Sequence, residues 1–203
     1  MKLVITKHYG GVVLVCGALA FQQYYNAFGI IGPLRKMIFK PEYMETFKPT
    51  HQMAFNTPPS PSGYPDMGAG RYAKALPYGD WYKFNIAQRV HGNSIEHISH
   101  AIPLLLLSGL FYPKIIAVMG LSMVIGREAY MTGYLTGGPD SPTRHWGGKA
   151  IVIPEILLIT LLLGVGVWRG LIRKPLMEMK TFNRISLMEQ HLKKIIKEDK
   201  MRS

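Results

Sequence analysis

Long apolar blocks alternate along the chain with polar, basic or glycine- and proline-rich stretches, and the blocks have the length of membrane-crossing helices. No Lys, Arg, Asp or Glu interrupts residues 8–34, so a first span is expected over roughly 9–31, ended by Gly32-Pro33 and the basic cluster Arg35, Lys36 and Lys40. Further spans are expected over about 84–111, 114–136 and 149–168. Residues 41–83, with Thr57-Pro58-Pro59-Ser60-Pro61-Ser62-Gly63 at their centre, read as a long irregular connection outside the bilayer. Tyr112-Pro113-Lys114 makes the second turn tight, and Gly137-Gly138-Pro139-Asp140-Ser141-Pro142 makes the third a loop. The pattern predicts an all-α membrane protein: a four-transmembrane-helix bundle over residues 1–174 with both termini on one side.

The tail, residues 175–203, changes character. Phe182, Ile185, Met188, Leu192, Ile195 and Ile196 recur at helical spacing among Lys193, Lys194, Lys197 and Lys200, and Ser186 with Glu189 fits a capping box. An amphipathic C-terminal helix is expected near residues 181–198, lying on an anionic membrane or docked on a partner. At the other end, Lys2, Lys7 and the apolar residues 12–20 share features with a cleavable signal peptide. The uncharged stretch is the length of a spanning helix instead, so a retained span is expected.

Charge sharpens this picture. A formal net charge of +12 and a pI near 9.8 would suit a nucleic-acid binder, but 48% hydrophobic residues and a mean hydropathy of +0.08 do not suit a soluble basic domain. No basic face interleaved with aromatics is present, so no nucleic-acid partner is expected. Lysines and arginines gather in the first long loop and the tail, both basic, which leaves the orientation in the membrane open. The single cysteine, Cys16, falls in an apolar run, so neither a disulfide framework nor a thiolate metal site is expected.

Candidate chemistry lies inside the spans. Arg89, Asn93, Glu96 and His100 stand at i, i+4, i+7 and i+11, within about 60° of one another on a helix. A charged residue in the bilayer core costs at least about 2.5 kcal/mol, so such a stripe marks a functional path by default. The plainer reading is that Arg89 and Glu96 sit in interfacial turns and pair with each other. In the third span Arg127, Tyr130 and Tyr134 form a second stripe, although Tyr134 alone also suits an aromatic belt at the membrane surface. Glu128 points about 100° away from Arg127, which suggests a salt bridge between helices or subunits. Glu155, after Pro154, has no evident partner.

Arginines grip carboxylates and a glutamate takes an ammonium group, so the constellation is compatible with glutathione, though not with it alone. A different chemistry reads His91, His97, His100 and Glu96 as haem, metal or proton-relay groups. A second helix would have to supply further ligands, and the third and fourth spans hold no histidine, so interhelical hydrogen bonds are the expected role and no metal is expected.

The run Phe84-Asn85-Ile86-Ala87-Gln88-Arg89-Val90-His91-Gly92-Asn93-Ser94-Ile95-Glu96 resembles the second-helix signature of the MAPEG family. Gly126-Arg127-Glu128-Ala129-Tyr130-Met131-Thr132-Gly133-Tyr134-Leu135-Thr136-Gly137 resembles that family's third-helix pattern, and the type 3 microsomal glutathione S-transferases look most similar. The resemblance covers roughly residues 5–170 and implies a homotrimer of four-helix bundles in the lipid bilayer, with glutathione as co-substrate between subunits. It implies a glutathione site of Arg89, Asn93, Glu96, Arg127, Tyr130 and Tyr134, with His91 in the motif and Arg35 as a weaker match, and Arg144 as the catalytic residue that stabilises the thiolate. The expected activity is glutathione transfer to lipophilic electrophiles or reduction of lipid hydroperoxides. Three departures are His97 in place of a tyrosine, the long first loop and the added tail. The site can survive all three, and the added loop and tail carry the alternative of a non-catalytic accessory subunit in a larger membrane complex, such as a mitochondrial one.

Overall fold

The computed structural model describes residues 6–169 together with residues 181, 184, 185, 187 and 188. All regular structure among them is helical. Residues Met1–Leu158 form one compact unit and Ile159–Ser203 a second. In the second, the described tail residues are helical and exposed, and the rest of the expected amphipathic helix lies outside the described residues.

The first span is helix α1 (Tyr9–Tyr25), which does not stop at Gly32-Pro33 as expected. It runs through a π-helical segment (Asn26–Ile31) into α2 (Gly32–Ile38), with Pro33 in the first turn of α2. Proline lacks an N–H and crowds the carbonyl four residues back, and the wider π turn ahead of it accommodates both without ending the helix.

The connection over residues 41–83 is more ordered than its composition suggests. It contains α3 (Pro41–Glu45), α4 (Lys48–Phe55) and α5 (Arg71–Lys74), the first two opened by proline in the first turn. Ile38, Phe39, Met44, Ala73, Leu76 and Phe84 close a small core beneath it. Its polar pin is Asp66, a buried carboxylate that accepts hydrogen bonds from the backbone N–H of Gly68 at 2.8 Å, Gly70 at 2.9 Å and Ala73 at 2.8 Å. Gly68 has φ +108°, and a Cβ there would stand 2.9 Å from Asn85 Oδ1, so only glycine fits. Burial, with the Asp66 carboxylate nearby, pushes the Tyr43 phenol up from its ordinary pKa.

Hydrogen bonds to a charged group are worth about 1.5–3 kcal/mol each, and Asp66→Ala would orphan all of those N–H donors. The variant is therefore expected to be cut within residues 41–83 by a protease that leaves the parent intact, read by gel and mass spectrometry. Equal resistance of the two proteins would show that the carboxylate does not hold the loop.

The remaining long helices are α6 (Tyr78–Gly109), α7 (Pro113–Gly137) and α8 (Pro142–Val167). α6 begins earlier than the expected span because Asp80 and Lys83, which end the apolar pattern, are compatible with helix; Pro103 lies inside it. α8 also starts early, at a proline in the first helical position, so Arg144 belongs to a helix and not to a loop. α1, α6 and α7 pack mutually. α8 joins through backbone approach to α7: a Cβ on Gly126 would lie 2.8 Å from the Ala150 Cβ and 2.9 Å from the Gly147 carbonyl oxygen.

Two of the described helices, α7 and α8, are long and apolar enough to cross a membrane, their best windows having mean hydropathies of 1.3 and 2.5. α1 is 17 residues long before the π segment, and α6 carries the charges of the candidate site. Outward faces are apolar where lipid would meet them, with Val118, Leu121 and Ile125 on α7 and Val152, Ile153 and Leu157 on α8 exposed.

Candidate functional site

The helix through Arg89, Asn93 and Glu96 is unbroken, so the expected stripe is real geometry. Asn93 is half-buried and turned to α7, whereas Arg89 and Glu96 are exposed on the single chain. From α7 the buried Arg127 donates from Nη1 to Asn93 Oδ1 at 3.0 Å, joining the two stripes. One turn on, Tyr130 lies with its ring centroid 5.8 Å from the Arg127 guanidinium, and the Tyr130 and Tyr134 rings stand 5.9 Å apart.

Arg144 completes this row from the first turn of α8. Its guanidinium carbon lies 4.6 Å from the Tyr134 ring centroid and 5.4 Å from that of Tyr130. These are cation–π distances, and the guanidinium also donates to the Pro139 carbonyl, which folds the turn after α7 back under the arginine. Its Nε is buried and has no partner among the described residues. Asn93, Arg127, Tyr130, Tyr134 and Arg144 therefore form a continuous series of contacts across α6, α7 and α8. It can present cationic and hydroxyl donors to an anion.

Two expected members lie elsewhere. His91 is two residues from Arg89, about 200° around α6, and its buried Nδ1 has no partner among the described residues. Arg35, 2% exposed, serves the loop: it donates to the Asp66 carbonyl at 2.6 Å and packs 4.1 Å from the Tyr64 ring and 4.9 Å from the Phe84 ring. The signal for this was the clustering of aromatics and Asp66 in the loop, residues that sequence spacing alone does not connect to Arg35. Glu128 bonds between helices as an acceptor, taking Gln22 Nε2 of α1 at 3.3 Å in place of the expected salt bridge.

Glu155 does find partners. It is 5% exposed in α8, with His97 Nδ1 at 3.1 Å and His100 Nε2 at 3.3 Å from its carboxylate. Glu96, the acid adjacent in sequence, is not grouped with the histidines; its backbone carbonyl accepts from Ser99. The sign of this missed cluster was a lone acid in an apolar span.

Sequence comparison follows the same segments. The profile of the MAPEG family matches residues 12–164, which runs from the first turn of α1 through most of α8 and takes in every residue of the row above. No solved structure matches the chain.

Proposed function

Because the chain belongs to the MAPEG family, whose members are membrane proteins and include glutathione transferases, we propose that it is a membrane-bound glutathione transferase or peroxidase of the type 3 kind. Its substrates are lipophilic electrophiles or lipid hydroperoxides, and it resides as a four-span bundle in an intracellular membrane of the endoplasmic reticulum or mitochondrion. The observation that carries this reading is the placement of Arg144 over Tyr130 and Tyr134 at the end of the row that begins at Asn93.

In this site Arg89 and Arg127 face the carboxylates of glutathione, Glu96 its ammonium group and Asn93 its peptide groups. Arg144, with the tyrosine hydroxyls beside it, stabilises the thiolate. The thiolate then attacks the electrophilic carbon of an acceptor, forming the C–S bond as an epoxide ring opens or a leaving group departs. Alternatively it attacks a hydroperoxide oxygen, breaking the O–O bond to release the alcohol and leave glutathione sulfenic acid, which a second glutathione converts to the disulfide and water. Exposure of Arg89 and Glu96 on the single chain favours a homotrimer, because a charged side chain turned to hydrocarbon costs about 2.5 kcal/mol or more and a neighbouring subunit would cover this face.

Arg89→Ala should weaken glutathione binding roughly ten- to a hundredfold, the loss of one charge-assisted hydrogen bond. Isothermal calorimetry on the detergent-solubilised protein checks this, and unchanged affinity would remove Arg89 from the site. A second reading, a non-catalytic subunit of a larger membrane complex, is favoured by the ordered loop, whose exposed Met53 and Phe55 offer an apolar contact surface outside the helices. That reading expects no glutathione binding by the parent protein.

A further inference from the structure

We propose that His97, His100 and Glu155 form a binding site for a divalent metal ion of the zinc class, whose ligands are none of the residues of the glutathione reading, although Arg127 borders both. One nitrogen from each histidine and one carboxylate oxygen all lie within 4.8 Å of one another. His97 Nδ1 stands 3.2 Å from Glu155 Oε1 and 3.1 Å from Oε2, and His100 Nε2 stands 3.3 Å from Oε1. Ligands held 2.0–2.2 Å from a tetrahedral ion are about 3.3–3.5 Å apart, so the imidazole-to-carboxylate separations need almost no adjustment. Helical-bundle metal sites place ligands at i and i+3 of one helix, there a glutamate and a histidine, opposite a carboxylate from another, and His97 and His100 with Glu155 share that spacing.

The donor set selects the ion. Two neutral imidazoles and one carboxylate suit zinc or another borderline divalent ion, and they leave at least one coordination position open. That position has somewhere to point. A small cavity lined by Ser94, His97, Met123, Arg127, Ile151 and Glu155 has room for about one water. Arg127, engaged with Asn93, adds positive charge to the same cavity and so favours an anionic fourth ligand such as hydroxide. The ion also neutralises the charge of Glu155, a carboxylate 5% exposed in a helix whose best window has a mean hydropathy of 2.5, where a buried charge is costly.

The test uses the untagged full-length protein in detergent, stripped with a chelator and titrated with Co²⁺ without glutathione. One equivalent is expected to bind per chain, with the visible d–d bands of four- or five-coordinate Co²⁺, and Zn²⁺ should displace it. His100→Ala and Glu155→Gln should each weaken binding at least tenfold. His100 is 47% exposed on its side chain, so its loss leaves the His97–Glu155 contact to support the fold, and melting curves report on folding directly. Zn²⁺ should raise the melting temperature of the parent and not of the variants. Absence of stoichiometric Co²⁺ bands in the folded parent, or parent-like affinity in both variants, would overturn the site and leave the cluster as a hydrogen-bonded histidine–glutamate group.

Discussion

Gly147→Val is expected to part α7 from α8 and to disable the proposed thiolate site without replacing any residue proposed to bind glutathione. A Cβ at this position would meet the Tyr130 backbone nitrogen inside contact distance and the Gly126 carbonyl oxygen at 2.5 Å. Both are main-chain atoms, so no rotamer change relieves the clash and the helices themselves must move. Overpacking a well-filled interior costs about 1–3 kcal/mol, and a backbone obstruction belongs at the upper end. Because Tyr130 lies at the obstruction and Arg144 sits one turn before Gly147, the displacement separates the arginine from its rings. Glutathione-dependent turnover should fall at least tenfold together with the melting temperature. The neighbouring Gly148 is the control: a Cβ there would lie 3.9 Å from Tyr130 Cδ2, an ordinary contact, and Gly148→Ala should behave as the parent. Equal behaviour of the two variants would contradict the close-packed α7/α8 contact.

Arg144→Ala should spare the fold and remove chemistry. The side chain is half-buried at the start of α8, and its loss leaves the Asn93–Arg127 bond and the tyrosine pair in place. A free thiol titrates near 8.5, and a positioned arginine lowers that by about one to two units, which makes the reactive thiolate a major species at pH 7. Without the arginine only a few per cent is ionised there, so turnover at pH 7 should drop by about an order of magnitude. The deficit should shrink as pH rises through the unperturbed thiol pKa, since solvent hydroxide then does what the arginine did. A pH profile of turnover in parent and variant checks this, and a pH-independent deficit would assign Arg144 to binding alone.

The long helices were legible in the chain because unbroken apolar blocks and helical spacing are local properties. The stripes of Arg89, Asn93 and Glu96 and of Arg127, Tyr130 and Tyr134 follow from spacing in the same way, and α6 and α7 carry them without interruption. Helix ends were less legible. Charges at Asp80 and Lys83 end an apolar window without ending a helix, and Pro142 opens α8 where turn residues suggested a loop, which is how Arg144 comes to stand on a helix.

Apart from Asn93 and Arg127, which the two stripes grouped, long-range polar pairing was not legible. Asp66 gathers N–H groups up to seven residues away, and Arg35 is buried beneath the loop by rings and carbonyls between residues 39 and 84, so its positive charge has a structural use that its position in the sequence did not disclose. Glu155 lies 58 residues from His97, and only the facing of α6 and α8 unites them.

If the chain binds glutathione and holds it as the thiolate, the ultraviolet absorbance of bound glutathione against pH reports it, because thiolates absorb and thiols do not. The expected result is a thiol pKa about one to two units below the free value in the parent and a return toward about 8.5 in Arg144→Ala. A folded parent protein that binds no glutathione, or that binds it with an unshifted thiol pKa, would show that this site does not hold the thiolate.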